Sequence, residues 1–150
     1  MTDGIRDLYQ ELILDHSRKP RNFGTLDSAN RQAEGFNPVC GDRVAVTLLL
    51  EADRVCKVHF EGSGCAISTA SASLMTEAVM GKKVSEVEAL FERVRVLLTG
   101  EPGSPATDLG KLVALGGVRE FPMRVKCATL AWHTLVGALD DDPANLVTTE

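Results

Sequence analysis

Two periods of apolar and polar residues divide this chain. Ile5, Leu8, Tyr9, Leu12 and Ile13 recur at i, i+3, i+4, i+7 and i+8, a spacing that gathers them on one face and predicts an amphipathic helix over residues 3 to 16, capped by Thr2 or Asp3. Pro20 disfavours helical geometry in the residue before it, and Asn22-Phe23-Gly24 has turn chemistry, so the helix ends there. The basic residues at this break, Arg18, Lys19 and Arg21, read as a solvated surface rather than a binding patch. Residues 25 to 36 have no clear period and are expected to be loop, with room for a short strand before Asn37.

The period then drops to two. Val44, Val46, Leu48 and Leu50 alternate with Arg43, Ala45, Thr47 and Leu49, the signature of a strand with one buried face. Cys56, Val58 and Phe60 alternate with Lys57, His59 and Glu61, which puts Cys56 on the core side as a small hydrophobe and His59 on the exposed side. Glu51-Ala52-Asp53-Arg54 is a short polar turn between the two, and an antiparallel hairpin is the simplest pairing.

Helical spacing returns after Gly62-Ser63-Gly64. A helix of small residues runs from Ala66 to near Met80, with Gly81 suited to its C-terminal cap. Ser85-Glu86-Val87-Glu88 matches a capping box and opens a helix whose stripe, from Val87 through Leu90, Phe91 and Val94 to Leu98, ends at Gly100. Glu101 to Pro105 is a loop, and Asp108 suits the cap of a short helix through Leu115, ahead of Gly116-Gly117. Pro122 suits the first turn of a last helix with the stripe Ala128, Ala131, Trp132, Leu135 and Leu139, on which His133 reads as a solvated or satisfied side chain. Asp140 to Pro143 ends it. The chain reads as a single domain over residues 1–150, with 140–150 expected to be a mobile tail.

Composition narrows the function classes. A chain of 150 residues builds a real hydrophobic core without disulfides or metal, and 44% hydrophobic with 25% charged residues is globular rather than disordered. The net charge of −5, with scattered basic residues, argues against a nucleic-acid partner. No apolar run approaches the roughly 18 residues of a membrane span. The N-terminus lacks a basic region followed by an apolar one, so a reducing cytoplasm is expected, where thiols stay free for metal or redox chemistry.

Those thiols fall at telling places. Cys40 and Asp42 flank Gly41, whose backbone freedom lets both side chains turn toward one point. The hairpin returns Gly62 to Cys65 beside Cys40, and Cys65 then begins a helix, where the unpaired N–H groups favour thiolate. Cys127 lies in the first turns of the last helix, just off its stripe. Cys40, Asp42, Cys65 and Cys127 therefore read as one metal or sulfur site. Thiolates with a carboxylate suit tetrahedral zinc, iron–sulfur clusters use the same soft ligands, and spacing does not choose between them. The competing reading is three unrelated buried cysteines. Gly62-Ser63-Gly64 lacks the lysine and length of a nucleotide loop, and none of His16, His59 or His133 sits in a motif that pairs it with a thiol for hydrolase chemistry.

Asn37-Pro38-Val39-Cys40-Gly41-Asp42, Gly62-Ser63-Gly64-Cys65-Ala66-Ile67-Ser68 and Arg124-Val125-Lys126-Cys127-Ala128-Thr129, with the earlier Pro20-Arg21-Asn22-Phe23-Gly24, resemble the IscU/NifU-like iron–sulfur cluster assembly family over nearly the whole chain. The resemblance implies an α+β sandwich, a small antiparallel β-sheet with helices packed on one face. It implies that Cys40, Asp42, Cys65 and Cys127 hold zinc or a nascent iron–sulfur cluster, with sulfur supplied as persulfide by a cysteine desulfurase. Where scaffold-type members carry His before the last cysteine this chain has Lys126, an accessory residue, and where they carry Leu-Pro-Pro-Val-Lys it has Phe121-Pro122-Met123-Arg124-Val125-Lys126. These departures, and the extra sequence around Thr99 to Gly117, resemble the SufU branch, which binds zinc and takes sulfur from a SufS-type desulfurase. The expectation is a zinc-bound sulfur acceptor rather than a conventional turnover enzyme, with Cys40 as the acceptor thiol and downstream iron–sulfur assembly proteins or apoproteins as recipients. The alternative is a scaffold on which the same four residues build a [2Fe-2S] cluster.

Overall fold

The change of period along the chain becomes a change of layer. The computed structural model describes residues 2–38, 41–99, 109–140 and 146–148. Helix α1 (Thr2–Arg18) precedes strands β1 (Arg31–Asn37), β2 (Asp42–Glu51) and β3 (Arg54–Ser63). Helices α2 (Ala66–Val79) and α3 (Val84–Thr99), a 3₁₀ helix (Gly110–Glu120), helix α4 (Pro122–Leu139) and the short strand β4 (Leu146–Thr148) follow. The sheet order is β3-β2-β1-β4, with both neighbours of β2 antiparallel to it and β4 parallel to β1. The fold is α+β, a three-strand antiparallel sheet extended by β4 and covered by helices. The segment ahead of Asn37 is a full strand, and Leu146–Thr148, within the expected tail, pairs with Glu34 to Phe36.

Alternation on β2 buries Val44, Val46 and Leu48, as its period requires. Ala52 and Asp53 form the β2–β3 turn with φ of 51° and 63°, the left-handed pair whose twist matches an antiparallel hairpin. The phase of β3 differs from the expected one at its start. Leu49 pairs with Lys57 but Leu50 pairs with Val55, so Cys56 is the extra residue of a β-bulge. The bulge shifts the alternation by one residue. Val55, Val58 and Phe60 fill the core face, and Cys56 is half-exposed instead of buried.

Two helix boundaries also depart from the pattern. Helix α3 begins at Val84, where the Glu86 carboxylate accepts the Lys83 N–H at 2.9 Å, so the capping interaction falls two residues ahead of the Ser85 to Glu88 match. The short helix expected to stop before Gly116-Gly117 is a 3₁₀ helix that continues through both glycines and buries Leu112, Leu115 and Val118. The expected Asp108 cap lies outside the described residues.

The core sits between the sheet and helices α2 and α4. Small residues on α2, among them Ala70, Ser71, Ala72 and Ser73, are all buried, which lets α4 approach closely. Ser71 Oγ donates to the Ala128 carbonyl at 2.6 Å and accepts the Trp132 Nε1–H at 3.2 Å. Trp132 in turn stacks on Phe91 of α3, with ring centroids 5.9 Å apart. This lock fixes the start of α4, and with it Cys127, relative to the start of α2, where Cys65 lies.

Candidate metal and sulfur centre

Three sequence-distant residues converge where these elements end. The first β hairpin closes with Asn37 opposite Asp42, and Gly41 takes φ of 75° while donating its N–H to the Asn37 carbonyl at 2.8 Å. That left-handed conformation is one glycine adopts at no steric cost. Asp42, the first residue of β2, is fully buried. Cys65 is the N-cap of α2 and its sulfur accepts the Ser68 N–H at 3.4 Å, as expected for a thiol at a helix start. Cys127, at the second turn of α4, is also fully buried. Ligand atoms of Asp42, Cys65 and Cys127 all lie within 4.8 Å of one another. Cys40, the fourth expected member, lies outside the described residues.

The carboxylate is shared between structure and site. Asp42 Oδ1 accepts the Cys65 N–H at 3.0 Å, tying β2 to the start of α2, while Oδ2 is buried with no hydrogen-bond partner among the described residues. An unpartnered buried carboxylate oxygen costs free energy unless something fills its place. Two thiols beside it make that place suit a divalent ion. On a tetrahedral zinc two thiolates sit about 3.8 Å apart, from Zn–S bonds of about 2.3 Å, a separation inside the 4.8 Å within which these ligand atoms lie. Asp42, Cys65 and Cys127 are thus close enough to bind a metal and supply three of four tetrahedral donors.

Three neighbours of the centre escaped the sequence reading. Arg124 is exposed and lies beside the sulfurs of Cys65 and Cys127; negative charge on Cys65, then its proximity to both sulfurs, raises the affinity of its guanidinium for its proton. The cation set against both sulfurs is therefore Arg124, with Lys126 half-exposed two residues on. Spacing of i, i+3 puts Arg124 and Cys127 on one helix face and was the available signal. Asn37 is fully buried and its Nδ2–H donates to Cys127 Sγ at 3.7 Å. It shares the inward face of β1 with Ala33 and Gly35, a face that appears only once the strand is formed. Gly64 lies against Asp42, and a Cβ added there would stand 2.6 Å from Oδ1. No sequence pattern announces that approach.

The histidines are used elsewhere. His16 is fully buried, with Nδ1 2.7 Å from Ser73 Oγ and Nε2 3.6 Å from Glu77. His133 meets the edge of Phe91 at 5.0 Å between ring centroids. Burial, then the charges of Arg21 and Lys111, holds His16 below the usual imidazole range against the opposing pull of Glu77 and Asp15. Burial does the same for His133, with Arg95 adding to it. Arg21 of the basic segment pairs with Asp15 at 2.6 Å on the surface.

Residues 8–128 match the family described as the NifU-like N terminal domain. The chain belongs to that family. Among its relatives is the zinc-dependent sulfurtransferase SufU of Bacillus subtilis (strain 168), 42% identical over 128 residues that span 85% of this chain and 86% of that one. The iron–sulfur cluster assembly scaffold protein IscU of Streptococcus pyogenes serotype M1 is 38% identical, over 90% of this chain and 84% of the other. In structure the chain is similar to SufU of Fervidobacterium islandicum AW-1, a candidate iron–sulfur cluster assembly scaffold protein for the SUF system. That likeness has a TM-score of 0.79 at 35% identity and covers 89% of this chain and 98% of the other. The family match runs from within α1 to the second turn of α4, so the described residues converging on this centre lie inside it. No helix among the described residues is long and apolar enough to cross a membrane.

Proposed function

We propose that this protein acts in iron–sulfur cluster assembly as a zinc-bound sulfur acceptor, with Cys40, Asp42, Cys65 and Cys127 as the metal ligands. The observation that carries the reading is the buried Asp42 Oδ2, without a hydrogen-bond partner among the described residues, beside two thiols. Similarity to the zinc-dependent SufU of Bacillus subtilis supports zinc as the ion. Chain connectivity supports Cys40 as the fourth ligand, since two residues of backbone keep its Cα within about 7 Å of that of Asp42. Bound zinc supplies positive charge that keeps coordinating thiols deprotonated.

The chain's own residues divide the remaining work. Asp42 holds the start of α2 through the Cys65 amide. Cys127, enclosed and bonded by Asn37, is the anchored sulfur. Arg124 sets a cation beside the sulfurs, where it favours the thiolate form of Cys65. The acceptor thiolate, which we assign to Cys40, attacks the outer sulfur of a cysteine persulfide on a desulfurase. One S–S bond forms on this chain as the donor's S–S bond breaks, and the donor cysteine leaves as thiolate. The outer sulfur keeps its proton, and no oxidant or reductant is consumed. The SufS-type desulfurase as donor, apoproteins or other assembly proteins as recipients and a cytoplasmic location belong to the same reading.

Mixing the protein with its desulfurase is expected to raise desulfurase turnover. Cys40→Ala is expected to abolish that rise and leave the basal rate intact, and a variant that stimulates like the parent would remove Cys40 from the acceptor role. The second reading, a scaffold for a [2Fe-2S] cluster, is favoured by the similarity to IscU of Streptococcus pyogenes and uses the same ligands.

A further inference from the structure

Asn37 is a polar side chain on the inward face of a strand. It is fully buried at the end of β1, on the face it shares with Ala33 and Gly35, and β1 packs against α4. A buried amide must be hydrogen-bonded, and the Asn37 Nδ2–H donates to Cys127 Sγ at 3.7 Å. That donor has no room to withdraw. A Cβ added at Gly35 would collide with Thr134 of α4, so strand and helix meet there without space for a side chain. The Asn37 carbonyl accepts the Gly41 N–H at 2.8 Å and its backbone pairs with Asp42, which fixes the residue in place. From the helix side, the Cys127 thiol is directed at the Met123 carbonyl, 3.8 Å away. Cys127 is therefore enclosed and fully buried, whereas Cys65 is half-exposed.

Resting on the sulfur-acceptor reading, we infer that Asn37 is a positioning residue that decides which thiol takes the sulfur: its bond to Cys127 Sγ keeps that cysteine a fixed ligand and leaves the transfer to another thiol. Sulfur exchange needs a thiolate whose lone pair has an open path to the donor's S–S bond. Burial denies Cys127 that path, and the amide N–H occupies a lone pair of its sulfur. A hydrogen bond to sulfur also draws off electron density, which weakens the nucleophile while orienting it as a ligand. The same residue closes the turn in which Cys40 lies in sequence, through the Gly41 N–H. Asn37 thus holds one thiol with its side chain and, with its backbone, begins the loop that bears another.

Asn37→Ala and Asn37→Leu test this, the first opening the space beside the sulfur and the second filling it without a donor. On chelator-treated parent, a small alkylating agent followed by peptide mass spectrometry should show Cys127 modified about tenfold or more slowly than Cys65, and in Asn37→Ala that ratio should fall to about threefold or less. Cobalt(II) added in place of zinc reads the bond itself. Both variants should move the sulfur-to-cobalt charge-transfer bands to lower energy, because the sulfur lone pair loses its N–H donor, while the tetrahedral d–d bands stay. With a desulfurase and cysteine, trapped persulfide should be absent from Cys127 in the parent and in Cys40→Ala, and should appear there when Asn37→Ala is combined with Cys40→Ala. Equal alkylation of Cys65 and Cys127 in the parent, or cobalt bands unmoved in both variants, would overturn the role of Asn37. Persulfide on Cys127 in the parent or in Cys40→Ala would do so without any Asn37 variant, and so would its absence from Cys127 in a folded double variant. A parent that takes sulfur on no thiol would refute the acceptor reading and the selection with it; the alkylation and cobalt results identify that case, since both hold without sulfur transfer.

Discussion

Asp42→Asn should move stability in opposite directions in the metal-free and metal-bound protein. In the parent the carboxylate is fully buried, with one oxygen bonded by the Cys65 N–H and the other without a hydrogen-bond partner among the described residues. Without metal, that oxygen carries a desolvation cost that no bond returns. Leaving a buried polar group unsatisfied costs about 1–3 kcal/mol, and more when it is charged. Asparagine keeps the acceptor for Cys65 and turns the orphan oxygen into an NH2 facing two sulfurs within 4.8 Å. A domain of this size shifts by about 2–4 °C per kcal/mol. The metal-free variant should therefore melt about 2–12 °C above the metal-free parent. Metal reverses the order, because asparagine is a neutral and poorer ligand. Zinc should raise the melting temperature of the parent by several degrees and that of the variant by much less. Differential scanning calorimetry of both proteins, chelator-treated and zinc-loaded, reads all four values. A metal-free variant that melts at or below the metal-free parent would show that the carboxylate is already compensated, and the argument from the orphan oxygen would fail.

Two further outcomes follow from named contacts. Gly64→Ala places a Cβ 2.6 Å from Asp42 Oδ1 and must displace the carboxylate, so zinc affinity measured against a chromophoric chelator should fall about tenfold or more; parental affinity would show that the backbone yields instead. His16 is held below its ordinary range by burial first and then by Arg21 and Lys111, against Glu77 and Asp15. The unfolded chain thus binds the proton more readily, and stability is present above the unfolded imidazole value of about 6.5 and lost as pH falls below it. His133 adds a change of the same sign. Melting temperatures of the parent should drop between pH 7.5 and 5.5, and His16→Gln should flatten part of that slope; an identical slope would remove His16 as a cause.

Most of the architecture was legible because period carries burial. The shift from 3.6 to 2 and back marked α1, the β2–β3 hairpin, α2, α3 and α4, and glycine and proline marked the breaks. Local geometry set the misses. A bulge changes the phase of a strand without changing its composition, so Cys56 read as core and is half-exposed. Gly116-Gly117 read as a stop, yet a 3₁₀ helix runs through because Leu112, Leu115 and Val118 are held in the core around them. Cys65 and Cys127 were legible as site residues from their places at helix starts, and Asp42 from Gly41. Arg124 was hidden by its neighbour: Lys126 adjoins Cys127 in sequence, but helical spacing turns Arg124 toward the sulfurs. The approach of Gly64 to Asp42 joins β2 to α2 and exists only once both are folded.

The central claim is that the converging thiols and carboxylate hold zinc as a resident ion rather than a cluster as cargo. Elemental analysis with an acid-labile sulfide assay, on protein purified without added metal, measures this directly. The account predicts near-stoichiometric zinc and no labile sulfide, with zinc lost in proportion when Asp42 and Cys65 are both replaced by alanine. Iron with equimolar acid-labile sulfide in the parent would contradict it.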